Sequence, residues 1–343
     1  MPNWARYLPW VALPALAVLL IGQHLVLWAP LGRQGLEGPT PSHALHTAAL
    51  LAPILLGAAA IRAAFAVIRR RAAGERVRPR WGEAFVWFWD ATWVLATLSL
   101  LATTYTWCKL FLPAYGGALW DGRLAATDIA VHLGVNPNVA LVTIFADGPR
   151  WAAKAMDAYY CAFVSTMIAG TAWFLADLDR ARRLAFTAGF VVLWSVGLWG
   201  YIAMPALGPV FAFPDIATEV KGVFPAVAST QVLLAENYRR ILLILASPGR
   251  SILVAPQYGV AAMPSLHVAA HALLFLWAWR VGSRLRAVLL AMTILTFLGS
   301  IATGWHYAID SWAGLALAAL ALLPAWLLLE ALRRKAPSVS PNA

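Results

Sequence analysis

Long apolar stretches recur along the whole chain and restrict its possible folds more than any other feature. Each is long enough for a helix to cross the hydrocarbon core of a bilayer, which is about 30 Å thick. The chain is 62% hydrophobic and only 12% charged, too little charge for the surface of a soluble domain. The sequence therefore predicts an all-α fold, a polytopic integral membrane helical bundle of about eight transmembrane helices, at roughly 9–29, 44–68, 84–112, 156–178, 184–204, 260–279, 287–304 and 307–330.

Two other segments are not predicted to cross the membrane. Residues 124–147 are apolar but contain Asp128 and an Asn-Pro-Asn sequence, which favours an interfacial or re-entrant helix. The segment 205–258 begins with prolines and a glycine that end the preceding helix, and its residues 232–245 have an amphipathic pattern. We expect this amphipathic helix to lie on the outer leaflet or to form a lid over a site.

Basic residues are grouped in loops, and their grouping explains most of the formal net charge of +11. With eight spans, the clusters all fall on the same side of the membrane as Arg6, which is the positive-inside pattern. We therefore expect both termini in the cytoplasm and no nucleic-acid partner. The clusters are Arg69, Arg70, Arg71, Arg76, Arg78 and Arg80; Arg180, Arg182 and Arg183; Arg280, Arg284 and Arg286; and Arg333, Arg334 and Lys335.

Two short polar motifs stand where predicted spans meet water on the opposite, non-cytoplasmic side. The first runs from Met263 to His267 (MPSLH) and the second from Thr303 to Asp310 (TGWHYAID). Ionisable side chains at the ends of membrane helices are costly and usually functional. The pair of motifs suggests phosphoryl chemistry on a lipid, at a site that faces the periplasm, the cell exterior or an organelle lumen.

His306 and Asp310 are four residues apart at the start of the last predicted helix, so they share one face and can touch. A carboxylate that accepts a proton from one imidazole nitrogen fixes the tautomer and leaves the other nitrogen free to attack or to accept a proton. Gly304 allows a sharp turn or a close approach to a ligand. The alternative is a structural His–Asp pair that closes a hairpin.

The first motif has the features of a helix start that binds an anion. Pro264 suits the first turn, and the Ser265 hydroxyl with the free N–H groups of that turn, including that of Leu266, forms a phosphate cradle. His267 would lie within reach of a phosphate held there. The alternative is an ordinary N-terminal cap with a histidine facing the bundle.

These motifs resemble the second and third signature motifs of the type 2 phosphatidic acid phosphatase (PAP2) superfamily. Ala262-Met263 and the Tyr-x-x-x-Pro-x-x-Gly-Pro element from Tyr201 to Pro209 are similar to its inositol phosphorylceramide synthase-like branch. Relatives in that branch include sphingolipid head-group transferases. The resemblance covers roughly residues 185–330, and the upstream spans of the branch correspond to about 84–180.

Composition and the resemblance together predict three parts in the chain. Transmembrane helices and a basic cytoplasmic loop occupy 1–80, a PAP2-like membrane catalytic domain occupies 81–335, and the tail 336–343 is expected to be disordered.

The resemblance also implies a covalent mechanism that uses no metal and no cofactor. His306 attacks phosphorus, Asp310 orients its imidazole, and His267 protonates the departing alkoxide and later deprotonates the acceptor. The acceptor is water in a phosphatase and a lipid hydroxyl in a transferase, and the similarity to the transferring branch favours a transferase. The donor is expected to be a phospholipid or a lipid phosphate.

Three departures from the family pattern remove expected cations. Ser300 stands where the third motif carries an arginine, Val210 follows Gly-Pro where the branch often has arginine, and no first motif with a lysine and Arg-Pro is present. Some cation must still balance the phosphate and its transition state. Lys109 stands out, because it lies inside a span near its outer end, where a charge is costly. The alternative to phosphate binding is snorkelling of its side chain to the interface. The candidates on that side are Lys109, Arg150, Lys154, Lys221, Arg239, Arg240 and Arg250.

Two other functions remain open at the level of sequence. His267 and His271 are spaced i, i+4 and could bind a metal with His306 and Asp310, as in a membrane metallohydrolase. A transporter or lipid-binding protein that kept the fold without the reaction would share the same spans. An enzyme should lose activity in His306→Ala, whereas a transporter or lipid-binding protein should keep its function. Only the metal-dependent hydrolase should lose activity on chelation.

Overall fold

The computed structural model describes residues 7–75, 81–247 and 254–334, and within these ranges all regular structure is helical. The predicted disordered tail lies outside the described residues. Thirteen α-helices follow one another in these ranges: α1 (Leu8–Gly32), α2 (Pro41–Ala72), α3 (Trp81–Leu110), α4 (Asp121–Val131), α5 (Pro137–Asp147), α6 (Arg150–Leu175), α7 (Arg180–Ala203), α8 (Pro209–Ala212), α9 (Pro214–Val223), α10 (Pro225–Ala246), α11 (Leu266–Arg280), α12 (Arg286–Ala302) and α13 (Ala308–Arg333).

Six of these helices are long and apolar enough to cross a membrane: α1, α2, α3, α6, α7 and α13. The predicted all-α polytopic membrane fold is therefore confirmed, and the chain is an integral membrane protein. The other two predicted spans correspond to α11 and α12, which have 15 and 17 residues. Both are shorter than the roughly 20 residues of a typical crossing, so the count of eight spans and their orientation stay predictions, as does the division into domains.

The segment 124–147 forms two short helices, α4 and α5, of 11 residues each. At 1.5 Å per residue, each is about 16 Å long, too short to cross the membrane by itself. Asn136 caps α5 through a hydrogen bond from the Asn138 N–H to its side chain. The Asn-Pro-Asn sequence thus lies at a break between two helices, whereas Asp128 lies inside α4. The interfacial or re-entrant placement of the segment stays a prediction.

The centre of the bundle consists of α7, α11 and α13, which approach one another at small residues. Gly189 of α7 lies against the Ala321 carbonyl and the Ala325 methyl, where a Cβ would come within 2.9 Å of either. Gly314 of α13 faces the backbone of Ser265, and a Cβ there would collide with the Ser265 carbonyl oxygen. Close backbone approach at small residues is the usual way in which membrane helices pack.

Asp90, which has no evident partner in the sequence, is paired with two arginines of α7 at the opposite end of the bundle from the two motifs. Its carboxylate lies 2.9 Å from Arg180 Nη2 and 2.6 Å from Arg183 Nη2, and both Asp90 and Arg183 are almost fully buried. Arg62 of α2 pairs similarly with Asp177 at 2.9 Å. A buried charge requires such a partner, so these pairs fix α3 to α7, and α2 to the loop that precedes α7.

Candidate active site

The starts of α11 and α13 lie side by side, and this places the two sequence motifs in contact. The Ser265 N–H donates to the Asp310 carbonyl oxygen at 2.9 Å. Gly314, one turn further along α13, provides the space for this contact because it has no Cβ. A backbone hydrogen bond therefore holds the two helix starts together, and this limits how far their histidines can separate.

The His267 and His306 rings meet at this junction. His306 Nε2 lies 3.3 Å from His267 Nδ1, and the ring centroids are 5.2 Å apart in an edge-to-face arrangement. His306 is only 1% exposed, whereas His267 is half-buried. Phe163 of α6 packs against the His267 ring at 4.6 Å between centroids, and the Tyr160 hydroxyl lies 3.5 Å from its Nδ1.

The second ring nitrogen of His306 fixes the tautomer. Nδ1 lies 2.8 Å from the carbonyl oxygen of Ala262, an atom that can only accept a hydrogen bond. Nδ1 must therefore carry the proton, and in the neutral ring Nε2 carries the lone pair that faces His267. This is the tautomer that a nucleophilic Nε2 requires.

Asp310 lies beside the same nitrogen but at a longer distance. Its Oδ2 is 3.6 Å from His306 Nδ1 and accepts a hydrogen bond from the Tyr307 N–H at 3.0 Å. Its Oδ1 is buried without a hydrogen-bond partner among the described residues. The predicted proximity of His306 and Asp310 is present, but the nearest partner of Nδ1 is the Ala262 carbonyl. Sequence reasoning missed this partner because a backbone carbonyl has no signature in the side-chain pattern.

Three residues predicted to bind phosphate lie in the walls of the junction. The Ser265 hydroxyl is buried and accepts a hydrogen bond from the Val268 N–H at 3.4 Å, as an N-terminal cap. The Leu266 side chain is fully buried. Gly304 has a φ of +68°, and its carbonyl accepts a hydrogen bond from the Val210 N–H at 2.9 Å. Their contacts are thus structural in this state, and their role in phosphate binding stays a prediction.

Lys109, the remaining predicted phosphate ligand, stands at the end of α3 next to the histidine pair. Its Nζ lies 5.7 Å from the ring centroids of both Tyr105 and Tyr201, within the range of a cation–π interaction. It interacts electrostatically with His267, and none of the carboxylates in the described ranges forms an ion pair with it. Gly259 packs against its backbone and stem, where a Cβ would come within 3.0 Å.

The other candidate cations differ from Lys109 in their surroundings. Arg239 and Arg240 lie on α10 close to Glu236, at 3.9 Å and 3.2 Å. Three others, on α6 and α9, have exposed side chains: Arg150, Lys154 and Lys221. Arg250 lies outside the described residues.

Four polar side chains that the sequence did not assign to the site hold the loop that carries His306. Asn138 of α5 donates to the carbonyl oxygens of Ile301 and His306, and Gln231 of α10 donates to that of Thr303 at 2.7 Å. Asp128 of α4 accepts from the first two N–H groups of α13, those of Ala308 and Ile309, at 2.7 and 2.8 Å. Burial raises the pKa of Asp128 above its usual value, although these N–H groups oppose the shift.

Asp121 is the fourth of these side chains. It accepts from the N–H groups of Leu207 and Gly208, at 2.9 to 3.1 Å, and from the Tyr307 hydroxyl at 2.9 Å. Burial, together with this neighbouring carboxylate, raises the pKa of Tyr307 well above its usual value. Polar residues in an apolar segment were the only sequence signal for this group, and they did not indicate which loop it would bind.

The segment from α8 to α10 packs against the His306 loop. The Phe211 and Trp305 rings pack at 5.8 Å between centroids, and Gly208 lies so close to Trp305 that a Cβ would collide with the Trp305 carbonyl oxygen. Gly208 has a φ of +103°, a conformation that favours glycine. The backbone of the Gly-Pro element is therefore in direct contact with the backbone of the His306 loop.

His271 does not join the histidine pair. Its Nδ1 lies 3.1 Å from the His267 carbonyl oxygen, and its Nε2 lies 3.2 Å from the Thr166 hydroxyl. Both ring nitrogens thus have partners of their own. Across the described ranges, no three His, Cys, Asp or Glu side chains are grouped so that they could hold a metal ion.

Comparison with known proteins gives a family. A family model described as the PAP2 superfamily matches residues 122–324, which is more than half of the 343 residues and includes both histidines and Asp310. Lys109 and the helices α1 to α3 lie before the matched region. No curated protein and no solved structure matched the chain.

Proposed function

The chain belongs to the PAP2 superfamily, and we propose that it moves a phosphoryl or phospho-head group between lipids through a phospho-histidine intermediate on His306, at the non-cytoplasmic face of the membrane. Family membership supports a phosphatase or phosphotransferase. The lipid donor, the covalent intermediate and the similarity to the inositol phosphorylceramide synthase-like branch are part of the proposal. The observation that carries it is the orientation of His306, whose Nδ1 is committed to Ala262 while Nε2 faces His267.

In the first step, the lone pair of His306 Nε2 forms a bond to phosphorus and the bond from phosphorus to the leaving oxygen breaks. The departing alkoxide takes the electron pair and receives a proton from His267. A separation of 3.3 Å between the two nitrogens leaves no room for a phosphorus atom, so the entering phosphate must push the His267 ring aside. The Asp310 carboxylate then stabilises the positive charge that the phosphorylated imidazole acquires.

In the second step, His267 removes a proton from an acceptor hydroxyl. The acceptor oxygen attacks phosphorus, the bond from nitrogen to phosphorus breaks, and its electron pair returns to His306 Nε2. Lys109 balances the phosphate charge in both steps, as the cation that compensates for the missing family arginines. The packing of α8 to α10 against the His306 loop and the burial of His306 support a lipid acceptor, because both restrict water.

The position of the pair in the bundle supports the proposed sidedness. Arg180 and Arg183, which belong to the predicted cytoplasmic clusters, lie at the start of α7, and Tyr201 lies at its other end, next to Lys109. The histidine junction is thus at the end of the bundle opposite to these arginines. The positive-inside rule then assigns the junction to the non-cytoplasmic side.

The proposal is tested with purified protein in vesicles that contain phospholipids labelled with radioactive phosphorus in the head group, with and without ceramide or diacylglycerol. The variants are His306→Ala and, as a matched control, His46→Ala, since His46 is an exposed histidine far from the motifs along the chain. We expect label to move onto the added lipid in wild type and control, and to fall on the order of 10³-fold or more in His306→Ala.

Other outcomes would change the conclusion. Free phosphate released at the same rate with or without a lipid acceptor would make the protein a phosphatase with the same residues. Equal transfer by wild type and His306→Ala would overturn the covalent mechanism. No transfer or hydrolysis by any variant would favour a non-catalytic transporter or lipid-binding protein, and loss of activity on chelation would favour a metal-dependent route.

A further inference from the structure

An apolar cleft of about 330 Å³ lies between α2, α3, α6 and α7, on the membrane side of the histidine junction. Its walls are almost entirely aliphatic and aromatic. Representative residues are Leu55 of α2, Leu98 and Ala102 of α3, Met167 of α6 and Phe190 of α7. Its size is within the range of small-molecule sites in proteins, which is about 300–1,000 Å³.

The upper end of the cleft adjoins the proposed phosphate site. Tyr105 lines the cleft, and the Nζ of Lys109 lies over its ring at 5.7 Å. On the opposite wall, Met167 is one helical turn from Phe163, whose ring packs against His267. A molecule in the cleft would therefore end between a cation and the histidine pair.

The depth of the cleft fits one leaflet of a bilayer. Along α3 it extends from Leu95 to Thr106, a rise of about 16 Å at 1.5 Å per residue. One leaflet contributes half of a hydrocarbon core of about 30 Å. The polar end of this cleft has a cation, Lys109, with which no carboxylate of the described residues forms an ion pair. A cleft of this depth is complementary to an amphiphile with an anionic head and an extended hydrocarbon chain.

The cleft is formed in part by helices that the family match does not include. Its walls on α2 and α3 lie before residue 122, whereas those on α6 and α7 lie within 122–324. The family region alone would leave this side of α6 and α7 open to lipid. The N-terminal helices therefore convert an open face into a bounded cleft.

We propose that this cleft holds one acyl chain of the lipid substrate while its phosphate lies between Lys109 and His306, so that the N-terminal helices select lipid chain length. This inference rests on the proposed function for its catalytic readout. A second apolar groove of about 440 Å³, between α11, α12 and α13, is larger. Neither histidine of the junction lines this second groove.

The two grooves provide a matched pair of substitutions. Ala102→Trp fills the proposed chain site, and Ala319→Trp places the same side chain in the second groove. Each variant is assayed in vesicles with lipid phosphates that carry either six-carbon or sixteen-carbon chains. We expect Ala102→Trp to lower kcat/KM for the long-chain substrate at least tenfold while short-chain turnover stays within about twofold, and Ala319→Trp to leave both unchanged.

A binding measurement keeps the inference testable without turnover. Phosphatidic acid with a photoreactive diazirine near the end of one acyl chain is cross-linked to wild type and to both variants, and the labelled peptides are mapped by mass spectrometry. We expect label on the cleft walls of α3 and α6 in wild type and Ala319→Trp, and its loss in Ala102→Trp.

The two measurements separate the failure of the inference from that of the proposed function. Label spread evenly over the lipid-facing helices, or unchanged in Ala102→Trp, would overturn the cleft even if the enzyme is active. An equal loss of long-chain and short-chain turnover in Ala102→Trp would overturn the chain-length role. Cross-linking confined to the cleft in a protein that shows no His306-dependent turnover would retain the cleft as a lipid site and refute the transferase.

Discussion

The side-chain amide of Asn138 donates a hydrogen bond of 3.0 Å to the carbonyl oxygen of His306, and both residues are buried. The same amide donates to the Ile301 carbonyl at 2.8 Å. One side chain of α5 thus holds the end of α12 and the residue proposed as nucleophile in a fixed relation. The catalytic proposal depends on this relation, because the Ala262 and His267 contacts of His306 require its backbone to stay in place.

We expect Asn138→Ala to reduce both stability and turnover. The buried His306 carbonyl oxygen loses the Asn138 donor, which costs about 1–3 kcal/mol for an unsatisfied group, whereas the Ile301 carbonyl oxygen still accepts from the Gly304 N–H at 3.0 Å. The measurements are the thermal unfolding midpoint in detergent and kcat. Asn136→Ala is the control, because it removes a helix cap worth about 1 kcal/mol without touching the His306 loop. A kcat for Asn138→Ala equal to that of Asn136→Ala would show that the amide does not position His306.

Asp310→Asn is expected to reduce activity by much less than His306→Ala. In a serine protease triad, the corresponding change costs about 10⁴-fold because it produces the wrong imidazole tautomer. Here the Ala262 carbonyl holds the proton on Nδ1 of His306, so the expected loss comes only from weaker stabilisation of the phosphorylated, positively charged ring. Single-turnover rates with labelled donor would measure it. A loss as large as that of His306→Ala would mean that Asp310, and not Ala262, controls the tautomer.

Lys109→Met should raise KM for an anionic lipid at least tenfold and lower kcat, because it removes the cation proposed to balance phosphate. Lys109→Arg should restore most of the loss. Lys154→Met is the matched control, since Lys154 is also basic and lies at the start of α6, but its side chain is exposed. Steady-state kinetics across lipid concentrations separates the two parameters. Equal behaviour of the two methionine variants would refute phosphate binding by Lys109.

Titration of Asp128 should make the stability of the wild-type protein, relative to Asp128→Asn, depend on pH. Its pKa is raised in the folded state above the usual value of about 3.9, so the folded protein binds a proton over a range in which the unfolded chain has lost it. The stabilisation is complete below the unfolded pKa and is lost as the pH rises through the folded pKa. The unfolding midpoint of wild type relative to Asp128→Asn should therefore fall as the pH rises above about 4. A difference that rises over this range would contradict the inference.

Gly208→Ala should destabilise the protein and reduce activity, whereas Gly222→Ala should not. The first places a side chain at a φ of +103° and against the Trp305 carbonyl oxygen, and left-handed backbone alone costs a non-glycine residue about 1–2 kcal/mol. A Cβ at Gly222, inside α9, meets no atom within 4 Å, and Ala there is expected to add up to about 1 kcal/mol. Thermal unfolding of both variants tests the contrast. Equal midpoints would show that the Gly208 loop can move away from Trp305.

The helical membrane fold was predictable because it follows from local properties. Apolar length and composition decide whether a segment can cross a bilayer, so the six long helices appear within a few residues of their predicted positions, apart from the longer ends of α2 and α6. The short spacing of His306 and Asp310 likewise predicted their proximity, which the structure shows at 3.6 Å. The expected reason was wrong, because His306 lies two residues before the start of α13 and the pair does not share a helical face. The Asn-Pro-Asn sequence lies at the start of α5, where Asn136 is the N-cap, whereas Asp128 lies inside α4.

The partners of the site were not predictable in the same way. The Ala262 carbonyl has no side-chain signal. Three side chains bind backbone groups between 72 and 168 positions away: Asn138, Gln231 and Asp121. A polar side chain in an apolar segment indicates that a partner exists, because an unpaired polar group in the membrane is costly. It does not indicate which carbonyl or N–H group that partner is.

The sequence by itself determined the membrane fold, the two histidine motifs and the absence of the usual family arginines. Each of these depends on residue type and on spacing within one segment. Only the tertiary structure decided that Ala262 fixes the His306 tautomer, that Lys109 stands beside the histidine pair, and that α2 and α3 close an apolar cleft below it. These depend on which helix ends meet, and that is set by the packing of small residues and by buried hydrogen bonds between segments far apart in the chain.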